Sequence, residues 1–242
     1  MNVQNNSSEI DALVEKARKA QAVYESEGSQ KIFNLACQAV AWALMEPEHN
    51  ASLSTLAVQE TGLGNAADKI LKNHNKTLGL LRDLKDVKSY GHIEDNAATG
   101  LSTHLRPKGV IAAIVPSTNP LATPVNNIIN ALKSGNAIII APSPKGATPF
   151  EKLLTYIHEN LTIIGLNPDL VPLSPSKAKT QRLMELADLL VVTGSQNNVR
   201  AGYSSGTPAL GVGQGNVVTI IDESANIPDA AEKIAASKTF DN

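Results

Sequence analysis

From Lys108 onward the chain alternates two kinds of segment, and this alternation narrows the fold more than any other feature. "GVIAAIV" (109–115) is a continuous apolar run, the pattern of a strand buried on both faces. "TPVNNIINALKSG" follows, with Thr123 placed to cap a helix and Pro124 at its first position. Val125, Ile128, Ile129 and Leu132 then make an i, i+3, i+4, i+7 stripe, and Gly135 ends the helix. "NAIIIAP" is the next strand, after which Thr148 caps, Pro149 enters, and Phe150, Leu153, Leu154 and Ile157 repeat the stripe. Further strands are predicted at 170–175, 189–194 and 217–222, with helices near 177–187 and 196–204. Strands alternating with amphipathic helices imply an α/β fold with a doubly wound, mostly parallel sheet.

The N-terminal part reads differently. Residues 8–87 carry only helical periodicity, with Ile10, Leu13, Val14 and Ala17 on one face and a second helix from Ile32 to Leu44 stopped by Pro47. A third helix begins near Ser52 and ends at "TGLGN", and a fourth covers 66–87. The stretch 88–106, in which "SYGHIEDNAATGLSTHLRP" begins at Ser89, has its turn residues at the centre and predicts a β-hairpin. The chain therefore divides into helices plus a hairpin arm (1–106) and an α/β region (107–242), which the rim and the resemblance described below make an NAD(P)-binding region, both being parts of one cofactor-binding domain.

Composition removes several classes of function. A formal net charge of −2 gives no long-range pull toward nucleic acid or anionic membranes, and 3% aromatic content leaves few rings for base stacking. The N-terminus lacks the charged start and apolar core of a secretory leader, and the apolar run 137–141 is too short to span a bilayer. A single cysteine precludes an internal disulfide framework and fits a cytoplasmic setting. Cys37 lies among Ile32, Leu35, Ala36, Ala39 and Val40 at helical spacing, so it reads as a buried small hydrophobe rather than a reactive thiol. His49, His74, His92, His104 and His158 show no metal-ligand spacing, and no metal is expected.

A parallel sheet of this kind binds its ligand at the carboxyl ends of its strands, which places "VPSTNP", "APSPKG" and "VTGSQ" along one rim. Each is a turn leading into a helix, where free backbone N–H groups attract phosphate, so a nucleotide is the default ligand. The glycine stretch "GVGQGN" (211–216) lacks the G-x-G-x-x-G spacing of a dinucleotide fingerprint and reads equally well as a flexible turn. Asn119, read by itself, is a turn or capping residue ahead of Pro120.

In order along the chain stand "ETGLGNAADKILKN" (60–73), "GVIAAIVPSTNP" (109–120), "NAIIIAPSPKG" (136–146), "YSSGTPALGVGQGN" (203–216) and "SKTFDN" (237–242). Together they resemble the N-terminal half of CoA-acylating aldehyde dehydrogenases, including the acetaldehyde dehydrogenase part of bifunctional aldehyde–alcohol dehydrogenases and the sulfoacetaldehyde dehydrogenases. The resemblance implies a Rossmann-type cofactor domain and a reaction in which a cysteine thiolate adds to an aldehyde. Hydride then passes to NAD(P)+, with NAD the favoured form, and coenzyme A takes the acyl group from the thioester. It makes Asn119 the side-chain donor to the oxyanion. It makes Val115, Pro116, Ser117, Thr118, Asn119, Pro120, Gly194 and Gly213 cofactor-contact positions, and sets Ser143 and Lys145 where the adenosine ribose is expected. Ser195 is expected to cap the helix beginning near Gln196, either as a cap alone or while also facing the pyrophosphate. Hydrolytic relatives resemble one another in carrying "ELGGK" where this chain has "VGQGN" (212–216), so the glutamate that activates water is missing and acyl transfer to a thiol is implied.

By the same resemblance "SKTFDN" leads into the loop bearing the nucleophilic cysteine, which lies beyond Asn242. The chain by itself is then expected to be inactive, a cofactor half whose partners in the complete enzyme are CoA and a small aldehyde such as acetaldehyde, propionaldehyde or sulfoacetaldehyde. The 88–106 arm is expected to mediate homo-oligomerisation. The alternative is a stand-alone nucleotide-binding or assembly module without catalysis.

Overall fold

The structure, a computed structural model, describes residues 2–173, 180–215 and 217–241. Four helices come first: α1 (Asn2–Ser26), α2 (Gln30–Met45), α3 (Pro47–Thr61) and α4 (Ala66–Leu84). A hairpin of β1 (Gly91–Asn96) and β2 (Leu101–Leu105) follows. The remainder runs β3 (Val110–Ile114), α5 (Ala122–Lys133), β4 (Ala137–Ala141), α6 (Ala147–Ile163), α7 (Thr180–Leu186), β5 (Leu189–Thr193), α8 (Gln196–Tyr203), β6 (Ala209–Val212) and α9 (Ile227–Thr239).

The sheet has the order β4-β3-β5-β6 and all three pairings are parallel. Every residue of β3 and β4 is buried, as continuous apolar runs require when helices cover both faces. Helix α5 packs on β3 and β4 and is itself covered by α2, which also lies along α6. α2 can take this central place because Phe33, Ala36, Cys37, Val40, Ala41 and Leu44 bury most of its circumference. One set of buried residues runs from Ile10 in α1 to Val192 in β5, so the N-terminal helices and the sheet share a core.

Two side chains fix the sheet at the end opposite its rim. Asn136 Oδ1 accepts from the N–H groups of Lys108 (2.6 Å) and Gly109 (2.9 Å), stapling the start of β3 to β4. Asp188 Oδ2 accepts from the N–H of Val110 (2.7 Å) and from Arg18 Nη1 (2.7 Å), which ties β3, β5 and α1 together.

The hairpin is antiparallel with a bulge between His92 and Glu94, and β2 is exposed along its whole length. At its base Tyr90 donates to the Glu25 carbonyl (3.3 Å) and Arg106 to the Glu25 carboxylate (3.0 Å).

Besides α3 starting at Pro47 rather than near Ser52 and α4 ending at Leu84 rather than 87, the fold departs from the sequence expectations in three places. Thr123 and Thr148 do not cap: α5 starts at Ala122 without a side-chain cap, and α6 starts at Ala147 behind a 3-10 turn, Pro144–Gly146, in which the Gly146 N–H already bonds to the Ser143 carbonyl (2.8 Å). The expected strand at 170–175 is absent over 170–173, where the turn Pro168–Leu170 and the segment after it seat Leu170 and Val171 in the core; residues 174–175, like 177–179 of the expected helix, lie outside the described residues. The segment 217–222 is irregular and exposed, and the strand beyond β5 is instead β6, which takes Gly211 and Val212 out of the supposed glycine turn. Topology explains the last point. α8 is the crossover that delivers the chain to residue 209 parallel to β5, whereas the few residues between 212 and 217 are too short for a second parallel crossover.

Candidate functional site

At the carboxyl ends of β3, β4 and β5 the three turns converge on a cleft of about 730 Å³. Its floor comes from Ile114, Val115 and Ala141, and its near wall from Pro116, Ser117, Pro142, Ser143 and Pro144. Gly194, Ser195 and Asn198 close one end, while Thr180, Gln181, Met184 and Glu185 of α7 form the opposite wall. Of the residues singled out from sequence, Val115, Pro116, Ser117, Ser143, Gly194 and Ser195 line this cleft. Thr118, Asn119, Pro120 and Gly213 do not line it. Lys145 is exposed on the 3-10 turn outside it.

The turns after β3 and β5 touch. Gly194 has φ +143°, a backbone conformation that favours glycine, and a Cβ there would sit in ordinary contact with Pro116 Cβ, 3.6 Å away. Ser195 Oγ accepts from the Asn198 N–H (3.3 Å), the expected cap of α8. That leaves the Gln196 and Asn197 N–H groups at the start of the helix without an intrahelical acceptor, the usual condition for attracting an anion. Gly213 lies against the Gln196 side chain, so the end of β6 borders the same helix start; a Cβ at 213 would come within 2.7 Å of Gln196 Nε2.

Asn119 is half-buried in the turn between β3 and α5 and does not cap that helix, whose first residue is preceded by Leu121. Its amide has no hydrogen-bond partner among the described residues, which frees its N–H groups for a ligand. Pro120 packs against the 3-10 turn, where a Cβ on Gly146 would approach it to 2.8 Å. The turns after β3 and β4 are thus also held against each other.

Among the described residues the cleft holds no cationic side chain, and its one charged lining residue is Glu185, whose carboxylate accepts from Gln181 (3.5 Å) and Arg182 (3.4 Å). Among the described residues, the groups an anion would meet here are backbone N–H groups, the α8 dipole and hydroxyls. The nearest acid after "VGQGN", Asp222, is spent on its own turn: the Ser224 hydroxyl (2.6 Å) and N–H (2.8 Å) bond its carboxylate and hold it below the usual range, which weakens it as a base. Cys37 is buried in α2 with Sγ 3.5 Å from the Ile129 carbonyl, and burial pushes its thiol up to about 12. It is a protonated core residue and not a nucleophile.

The aldehyde dehydrogenase family model matches residues 2–242. The chain belongs to that family. It is 54% identical over 236 residues to the acylating sulfoacetaldehyde dehydrogenase of Cupriavidus necator, an alignment covering 96% of this chain and 48% of that protein. The structure of an acetylating aldehyde dehydrogenase from Geobacillus thermoglucosidasius superposes with a TM-score of 0.91 at 36% identity, over 98% of this chain and 53% of that one. A propionaldehyde dehydrogenase from Rhodopseudomonas palustris with bound propionyl-CoA gives 0.85 at 33% identity, over 96% of this chain and 52% of that one. The chain spans about half the length of these relatives. The resemblance read from the five motifs, to CoA-acylating members of the family, is borne out.

The walls from α7 and α8 were not visible in the sequence. A helix face turned toward a ligand and one turned toward a core carry the same spacing.

Proposed function

We propose that this chain is the cofactor half of an NAD(P)-dependent, CoA-acylating aldehyde dehydrogenase, and that the nucleophilic cysteine belongs to chain that follows residue 242. The observation that carries the reading is the convergence of the turns after β3, β4 and β5 on one cleft, with an α8 start that offers free N–H groups and a glycine in a backbone conformation that favours it. These residues fit an extended, anionic dinucleotide. Bound there, a nicotinamide nucleotide would supply the hydride acceptor. Val115, Pro116, Ser117, Gly194 and Ser195 would hold it, with Ser143 toward the ribose.

NAD is the form this reading favours. Among the described residues no lysine or arginine lines the cleft to meet a 2′-phosphate, and Glu185 would repel one. The role proposed for Asn119 is to donate its amide N–H to the oxygen that gains negative charge as a thiolate adds to the aldehyde. With Val212 and Gly213 in place of an acid, and Asp222 held in its own turn, water is not activated and the thioester survives for CoA. The name of the Cupriavidus necator relative supports sulfoacetaldehyde as the aldehyde. The exposed β1–β2 arm, joined to the body at its base, is proposed as the contact between subunits.

Titration calorimetry of the chain with NAD+ and NADP+ tests the cofactor reading. NAD+ binding in the micromolar to millimolar range, tighter than NADP+, is expected; heat from neither at millimolar nucleotide would refute it. The same chain extended through its catalytic half should form NADH from sulfoacetaldehyde only when CoA is present.

A further inference from the structure

We propose that Asp241 is a positioning residue: clamped by Lys69 and Lys72 at the start of α4, its carboxylate fixes where the segment after α9 lies against the cofactor half. The catalytic meaning of the clamp rests on the function proposed above, which gives that segment the task of leading to the thiolate.

The observation behind this is a contrast. α9 buries no residue, and the stretch from 217 onward leaves Val218, Ile220, Ile227 and Phe240 exposed, so apolar packing does not hold it in place. Yet the Asp241 side chain is only 5% exposed, and it meets Lys69, only 2% exposed, at 2.9 Å. A lysine that deep is rare unless paired. Its carboxylate is shared evenly: Oδ1 bonds Lys69 and Oδ2 bonds Lys72, while the Asp241 N–H donates to Asp68 Oδ2 at 2.9 Å. Two cations and two carboxylates make the cluster neutral.

The backbone on both sides is shaped for this contact. Asp241 is the non-glycine residue found in the left-handed region among the described residues, at φ 53°, a conformation that aspartate and asparagine tolerate better than most. Opposite it Gly64, at φ +69°, has no Cβ; one placed there would overlap the Asp241 carboxylate. The motif at 60–73 and the motif at 237–242 are therefore the two halves of one contact, about 170 residues apart in sequence.

A buried ion pair contributes position more dependably than net stability, since an apolar replacement of both partners is often as stable. A carboxylate with a separate lysine on each oxygen fixes orientation as well as place. Thiolate chemistry is sensitive to both, because a displacement of about 1 Å at the reacting atoms costs about 10²-fold in rate.

Asp241→Asn keeps the shape and the backbone tolerance while removing the charge. By hydrogen exchange on the 242-residue chain, amides of 227–240 should exchange about tenfold faster or more in this variant, with those of β3 and β5 unchanged. Unchanged exchange in 227–240 would overturn the clamp. Lys69→Met gives a second route to the same loss and should show the same regional pattern. In the chain extended through its catalytic half, Asp241→Asn should lower kcat about 10–100-fold and leave the KM for nucleotide unaltered. An unaltered kcat, or a fall matched by lost nucleotide affinity, would reduce Asp241 to a structural anchor and overturn the positioning role. Wild-type extended protein without CoA-dependent activity would instead refute the proposed function, and the exchange result would still decide whether the clamp exists.

Discussion

Asp188 offers the most direct test of how the sheet is held beneath the cleft. Its Oδ2 accepts from the N–H of Val110, a residue with no exposure, and from Arg18 Nη1, each at 2.7 Å. Asp188→Ala would strand the Val110 N–H in the core, at about 1–3 kcal/mol for an unsatisfied buried donor. Loss of the Arg18 pair, which is partly solvated at 41% and 31% side-chain exposure, adds at most about 1 kcal/mol. The sum is about 1–4 kcal/mol. Asp188→Asn keeps an oxygen for Val110 and should cost about 1 kcal/mol, and Arg18→Ala no more than that, because the donor in the core stays bonded. Urea unfolding followed by far-ultraviolet circular dichroism gives all three values. The reasoning requires the order Ala at 188, then Asn at 188 and Ala at 18. If Arg18→Ala were as damaging as Asp188→Ala, the surface pair and not the buried N–H would be the main contribution, and the account would be wrong.

Other perturbations test different parts of the molecule. Cys37, with its thiol raised to about 12 by burial, should resist an aromatic disulfide reagent at pH 8 in the native chain and react fully in denaturant. Fast native labelling would contradict its place in the core. The Glu25 carboxyl is held below its ordinary 4.5 first by the Gln21 amide and then by Arg106, so it stabilises the fold above that pH and loses this contribution as pH falls through its lower folded value. Glu25→Gln should therefore flatten the acid limb of Tm against pH below about 4.5, and an unchanged limb would discount the contact. Asn119→Ala should leave unfolding midpoints unaltered, since its amide has no protein partner among the described residues. In the extended, active protein it should lower turnover about 10²–10³-fold.

The strands β3 and β4 could be read from sequence because each is an apolar run long enough to need cover on both faces. The rim followed from them, since ligands gather where parallel strands end. Helix starts were less legible: Thr123 and Thr148 have the chemistry of caps, but the preceding turns already occupy the relevant backbone groups. β6 escaped notice because "ALGV" is short, half-exposed and ends in a glycine stretch. The β-branched run at 217–222 looked like a strand on composition alone and lacked the crossover to make one. Asn119 stood out only through resemblance, because a lone asparagine before proline has several local uses. The Lys69–Asp241 contact has no local signature at all. Its partners are ordinary surface residue types until the chain brings them together.

The register of the sheet also sets a schedule for synthesis. β3 sits between β4 and β5, and its first hydrogen bond to the β5 side, Val110 to Asp188, joins residues 78 positions apart. At about 5–20 residues per second, a ribosome delivers that partner roughly 4–16 s after β3 itself. During that interval β3 and β4 can pair through their short crossover, but one edge of a wholly apolar strand stays open. Such an edge is a template for strands of other nascent chains. The nascent protein therefore depends on the helices already made, α1 above all, which packs on β3, to shield it until its neighbour emerges.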